Sequence, residues 1–218
     1  MDGKLDLYCE RTGPEFWSEP LNAITNAAFL VAAVMAFLAW RQRPADWPVF
    51  LLIGLTALIG IGSFLFHTFA ERWAAIADTA PIGVFILGYF ALAMRRFFSL
   101  SVIWTLVLLA AFVAFSVLSV PLFERAVGGS AGYMPALVTL VFVGTLLASL
   151  GKRRALGLLA AGGVFAASLA FRILDEPVCA HLPIGTHFLW HVLNATVLYI
   201  LTRTAMRSKS VGRAERMR

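Results

Sequence analysis

Long apolar runs separated by short polar breaks dominate this chain. The runs cover about 20–40, 48–67, 74–94, 99–120, 133–150, 155–174 and 184–204. Between them lie RQRPADW, ERW, RRFFS, FERAVGGSAG, GKRRA and DEPVCAHLPIG, several marked by Gly or Pro, which interrupt helices at little cost. The hydrocarbon core of a bilayer, roughly 30 Å thick, takes about 20 apolar residues per helix. The pattern therefore predicts an all-α membrane protein, a bundle of seven transmembrane helices over 20–204. A polar, acidic segment (1–19) precedes it and a basic tail (205–218) follows.

Composition agrees: 60% of the 218 residues are hydrophobic and 14% charged, too few charges for an ordinary soluble domain. The net charge of +6 is no nucleic-acid signature, because lysines and arginines gather at the ends of the apolar runs. Thirteen of them fall on one face: Arg41, Arg43, Arg95, Arg96, Lys152, Arg153, Arg154 and the tail from Arg203 to Arg218. Five fall on the other: Lys4, Arg11, Arg72, Arg125 and Arg172. The richer face is expected in the cytoplasm, with the amino terminus outside and the carboxyl tail inside. The tail is a stop-transfer anchor or a contact for anionic lipid. Residues 1–19 hold no apolar stretch of a cleavable leader, so the first span is expected to direct insertion. The short loops and high alanine content are in a bacterial style, with the inner (plasma) membrane as the expected location.

Three histidines sit within the apolar stretches, where an ionisable group points to function. His187 and His191 are spaced i, i+4 in HFLWH, and His67 ends GLTALIGIGSFLFH. Ser63 lies one helical turn before His67, on the same face. Asp78 lies eleven residues after it, in the first turns of the next span. The expected topology puts all five at one depth near the outer leaflet. Three imidazoles with one position left open make a catalytic zinc site. Asp78 then suits a general base, and Ser63 a donor to a developing oxyanion. Taken singly, each histidine is also explained by a hydrogen bond to a neighbouring helix, and Ser63 by close helix packing.

The amino-terminal segment carries Asp6, Glu10 and Glu19, oxygen donors of the kind calcium takes in sets of six to eight. Spacing alone equally fits a solvated acidic stretch. Cys9 lies in this segment and Cys179 in the break before the last span. Both are expected outside, where a bridge would persist; two free thiols are the alternative.

In order and spacing the chain resembles the alkaline ceramidase family of seven-span hydrolases. The resemblance lies in YCE (8–10) with EPLNAITN (19–26), GIGSFLFH (60–67) with Asp78, RILDEPVC (172–179) and HFLWH (187–191). It implies zinc held by His67, His187 and His191, catalytic roles for Ser63 and Asp78, and a bridge between Cys9 and Cys179. It also implies a calcium site at Glu10 and Glu19, with Asp6 and Thr12 nearby. There the chain departs from the family: Leu7 stands where the first aspartate is usual, and Thr12 where an asparagine is usual. The implied reaction is hydrolysis of the amide of ceramide or another N-acyl lipid. Phe64, Phe66, Phe85 and Phe188 are candidates to line an acyl tunnel.

Two other classes share some of these features. A seven-span ligand-binding receptor would keep an inert metal site, and a haem protein would use two histidines as axial ligands. A retinal protein needs a lysine inside a span, but Lys4, Lys152 and Lys209 all lie outside the apolar runs.

Overall fold

The computed structural model describes residues 4–43 and 45–216, with side chains up to 206. Arg218 and the side chains of Arg207, Lys209, Arg213 and Arg216, which make up the basic tail, lie outside the described residues. Among the described residues all regular structure is helical.

The first apolar run forms two helices, α1 (Pro20–Thr25) and α2 (Ala27–Trp40), parted at Asn26. Then follow α3 (Trp47–Phe69), α4 (Arg72–Phe97) and α5 (Val102–Val127). A 3-10 helix (Gly128–Tyr133) leads into α6 (Met134–Ser149), α7 (Ala155–Val178) and α8 (His187–Arg216). Among the described residues five stretches are long and apolar enough to cross a membrane: Pro20–Trp40, Trp47–Phe69, Arg72–Phe97, Val102–Ser149 and Ala155–Val178. The fourth, 48 residues long, contains both α5 and α6, which pack against each other.

The apolar runs located the helices but understated α5 and α7. Helix α5 continues through Pro121, Glu124 and Arg125, and α7 through Asp175, Glu176 and Pro177. Charged residues end an apolar run without ending a helix, since Glu and Arg are good helix formers.

The bundle is apolar outside and partly polar within. Leu118, Leu122, Ile103 and Leu156 are among many large hydrophobic side chains exposed on the surface. Phe29, Ile59, Phe85, Leu147 and Leu158 fill the centre. Buried polar side chains gather where α3 ends and α8 begins: Glu10, Arg11, Glu19, Asn22, Ser63, His67, Asp175, His187 and His191. At the opposite end Asp46 and Arg96 pair through both carboxylate oxygens, at 2.5 and 2.9 Å.

Two features position the polar end. Only Ala70 and Glu71 separate α3 from α4; Ala70 is left-handed at φ 51°, which ends α3 sharply. Helices α3 and α4 then touch along their length, and at Gly62 the backbones meet: a Cβ there would overlap the Ala77 carbonyl. The amino-terminal segment crosses this end as a strap. Leu5 N–H donates to Ala70 O (2.7 Å), and Lys4 Nζ to Phe69 O and Glu71 (2.8 and 2.9 Å).

Candidate functional site

Helix α3 supplies His67 from its last turn, and α8 supplies His187 and His191 from its first two turns. One ring nitrogen from each lies within 4.8 Å of the other two, and all three rings are buried. Nε2 of His67, Nδ1 of His187 and Nε2 of His191 have no hydrogen-bond partner. Buried polar atoms are rarely left so.

In His67 and His191 the other ring nitrogen explains why these are bare. His67 Nδ1 lies 2.5 Å from Glu19 Oε2, a carboxylate that only accepts, so Nδ1 carries a proton, and in the neutral imidazole Nε2 then carries the lone pair. His191 Nδ1 lies 3.0 Å from Thr25 Oγ1. That hydroxyl donates to Leu21 O (2.8 Å), so it accepts from Nδ1 and again leaves Nε2 as a lone pair. Metal-binding histidines are held in this way, the second nitrogen donating to a carboxylate or similar oxygen. His187 is held by its backbone and its ring face: its N–H donates to Asp175 Oδ1 (2.8 Å), and Tyr8 stacks on the imidazole at 3.6 Å. The donor set fits a zinc ion with one position open.

Ser63 and Asp78 reach the same place from α3 and α4. The Asp78 carboxylate faces Ser63, His67 and Arg172. Ser63 is buried and Asp78 half-buried. The five residues read from the apolar runs therefore converge.

The strap is bolted at Asp175. Its carboxylate accepts from Cys9 N (3.0 Å), Thr186 N (2.7 Å) and His187 N (2.8 Å). Cys9 and Cys179 form a disulfide with Cα atoms 5.2 Å apart. Gly185, at φ 62°, leaves room for this junction; a Cβ there would overlap Asp175 and approach Cys9 closely.

The expected calcium set does not assemble. Asp6 and Thr12 are exposed. Both Glu10 oxygens are taken by the first turn of α1, from Leu21 N (2.6 Å) and Asn22 N (2.8 Å). Glu19 Oε1 is taken by Arg11 Nε (2.5 Å), and Oε2 by His67 and Asn22 Nδ2 (3.1 Å). Burial raises the Glu10 carboxyl above its ordinary value despite the two backbone bonds. Burial acts to raise Glu19 as well, but His67, Arg11 and Asn22 together hold it below the usual range. In this arrangement the two carboxylates accept from protein donors, which leaves few oxygens for calcium.

Sequence reasoning did not assign Arg11, Thr25, Arg172 or Asp175 to the site. Arg172 donates to Ser130 Oγ (2.5 Å) and to Tyr8 Oη (3.4 Å), and lies over the Tyr133 and Trp190 rings. Arg172 and Asp175 lie within RILDEPVC, and Thr25 within EPLNAITN, so the motifs held the signal without the roles.

Beneath the site an apolar cavity is lined by residues of α2 to α8. Ile59 lines it one turn below Ser63, Ile82 one turn below Asp78, and Asn194 one turn below His191. On α4 it extends from Ile82 to Met94, about 18 Å at 1.5 Å per residue. Of the four phenylalanines expected along a tunnel, Phe85 lines it. Phe64 packs instead on Phe16 and Trp17, and Phe66 on Tyr8.

No curated protein matches the chain. Residues 8–216 match the model of the Ceramidase family, and the chain belongs to that family of hydrolases acting on the amide bond of ceramide.

Proposed function

We propose that this ceramidase is a zinc-dependent intramembrane amidase. Its substrate is ceramide or a closely similar N-acyl lipid, and its products are a free fatty acid and a sphingoid-type amine. The observation that carries this reading is the convergence of three bare, buried imidazole nitrogens beside the paired Ser63 and Asp78. Neither the receptor nor the haem reading accounts for that pair.

His67, His187 and His191 would hold the zinc. A zinc ion supplies Lewis acidity to the amide carbonyl and lowers the pKa of water to about 7. Asp78 accepts the proton of the attacking water as its oxygen bonds to the carbonyl carbon. The Ser63 hydroxyl turns to the carbonyl oxygen as negative charge develops there. The C–N bond then breaks, and Asp78 returns its proton to the departing nitrogen, which leaves as an amine. Tyr8 and the strap cover the site and hold bulk water back.

The cavity below suits the acyl chain, since its lining is almost wholly apolar and opens one turn from the reacting groups. The reading takes seven spans, α1 with α2 as the first and then α3 to α8, with the amino terminus outside. The charge asymmetry between the two faces favours that orientation. The scissile amide, just below the lipid headgroup, would then meet the site near the outer leaflet.

The test is metal analysis of purified protein coupled to mass spectrometry of lipids before and after incubation. One zinc per chain and released fatty acid are expected. The His187→Ala, His191→Ala double variant is expected to lose both. Unchanged turnover in that variant overturns the reading.

A further inference from the structure

Arg11 occupies an unusual position. Its side chain is 1% exposed and that of Glu19 2%, in a chain whose other outward-face cations lie nearer the surface. The guanidinium uses three of its nitrogens. Nε donates to Glu19 Oε1 (2.5 Å), one terminal nitrogen to Gly13 O (3.0 Å), and the other to His67 O (3.0 Å). These acceptors belong to the strap, to the residue before α1 and to the last turn of α3. One planar cation thus joins two backbone carbonyls and one side-chain carboxylate, a task suited to the fixed fork of arginine and not to lysine.

The carboxylate it grips has its other oxygen on His67 Nδ1 (2.5 Å). Arg11, Glu19 and His67 form a line from the strap to the candidate zinc. A carboxylate behind a ligating histidine fixes its tautomer and direction and raises its basicity. Unpaired, that carboxylate would be a buried charge free to swing towards other donors.

We infer that Arg11 is a tethered internal cation that does here what a bound divalent cation would do: it neutralises Glu19, shapes the strap and holds His67 for zinc. It is a positioning residue, and the enzyme needs zinc without calcium. The saturated oxygens of Glu10 and Glu19 and the exposure of Asp6 and Thr12 agree with this.

The inference rests on the zinc reading, and its test separates the two. Purified full-length protein is stripped of metal, given one equivalent of zinc, and equilibrated with millimolar calcium. Metal content and thermal unfolding are then measured. Wild type is expected to hold zinc alone and to melt at the same temperature with or without calcium. A stoichiometric calcium ion, or a calcium-dependent melting temperature, overturns the inference while leaving the zinc reading intact. Protein that binds no zinc sinks the zinc reading instead. In a second arm, zinc affinity is read by competition with a chromogenic chelator. Arg11→Gln is expected to bind zinc about 10- to 100-fold more weakly, with Arg11→Lys between it and wild type. Wild-type zinc affinity in Arg11→Gln overturns the positioning role. Should Arg11→Gln fail to fold, Arg11→Lys and the wild-type calcium measurement decide.

Discussion

Gly62 of α3 lies against the carbonyl of Ala77 in α4 with no room for a Cβ. The next residue of each helix is a catalytic candidate, Ser63 and Asp78, and the close crossing brings them face to face. Gly62→Ala should push the helices apart, at about 1–3 kcal/mol for overpacking. The histidines on α3 and α8 do not depend on that crossing. The variant is therefore expected to keep its zinc but lose at least tenfold in kcat. Zinc loss in step with activity would show that the crossing serves stability alone.

Asp78 and Ser63 have separable duties. Asp78→Asn removes the proton acceptor while keeping its shape, and kcat should fall about 10²- to 10⁴-fold. Ser63→Ala removes one donor to the oxyanion, with an expected loss of about 10²- to 10³-fold. Both should retain one zinc per chain by metal analysis. If either variant turned over lipid at the wild-type rate with zinc bound, the proton path proposed through the pair would be wrong.

Thr25 has a sharper role than its position suggests. Its hydroxyl donates to Leu21 O and so accepts from His191 Nδ1, which fixes the tautomer that bares Nε2. Thr25→Val keeps the volume and removes the acceptor. Zinc affinity should weaken about 10- to 100-fold, whereas Thr25→Ser should stay near wild type. Equal affinities for Val and Ser variants would assign the tautomer to another contact.

The strap offers a redox readout. Cys9 is bonded to Cys179, and its N–H to Asp175, the same carboxylate that receives His187 N–H. Loss of the bridge from a protein held by one native disulfide typically costs about 2–5 kcal/mol. Cys9→Ser, Cys179→Ser should therefore unfold at lower temperature and bind zinc less tightly. Asp175→Asn should weaken zinc binding further, because the first turn of α8 loses its anchor. A double cysteine variant with wild-type melting and zinc affinity would make the bridge incidental to the site.

Much of this was legible in the sequence, and the gaps have physical causes. The apolar runs gave each helix because a bilayer fixes helix length and lipid-facing composition. The break at Asn26 and the charged ends of α5 and α7 were not legible, since helix continuation there depends on packing and hydrogen bonds. His67, His187 and His191 stood out because imidazoles are costly in apolar segments. The contacts of Glu19 with Arg11 and His67 were not legible, because a carboxylate looks the same in sequence whether it meets a metal, an arginine or a histidine. Thr25 and Asp175 are of types that ordinarily cap helices or bond backbone, so nothing in their spacing marked them as part of the site.

The cavity gives a prediction about chain length. It starts one turn below Ser63 and Asp78 and reaches Ala93 and Met94 near the far end of α4. Ala93 is small and buried, so a phenyl ring there would fill the bottom of the cavity without touching the reacting groups. Substrates whose acyl chains stop short of that level should be hydrolysed by Ala93→Phe much as by wild type. Longer chains would have to fold back or leave their ends in lipid. For them kcat/KM should fall about tenfold, since one or two displaced methylenes are worth about 0.8 kcal/mol each. Competition between a short- and a long-chain N-acyl lipid in one vesicle preparation, read by mass spectrometry of the released acids, gives the ratio directly. An unchanged ratio would place the acyl chain outside the bundle, lying in the bilayer, and would leave the cavity without a part in catalysis.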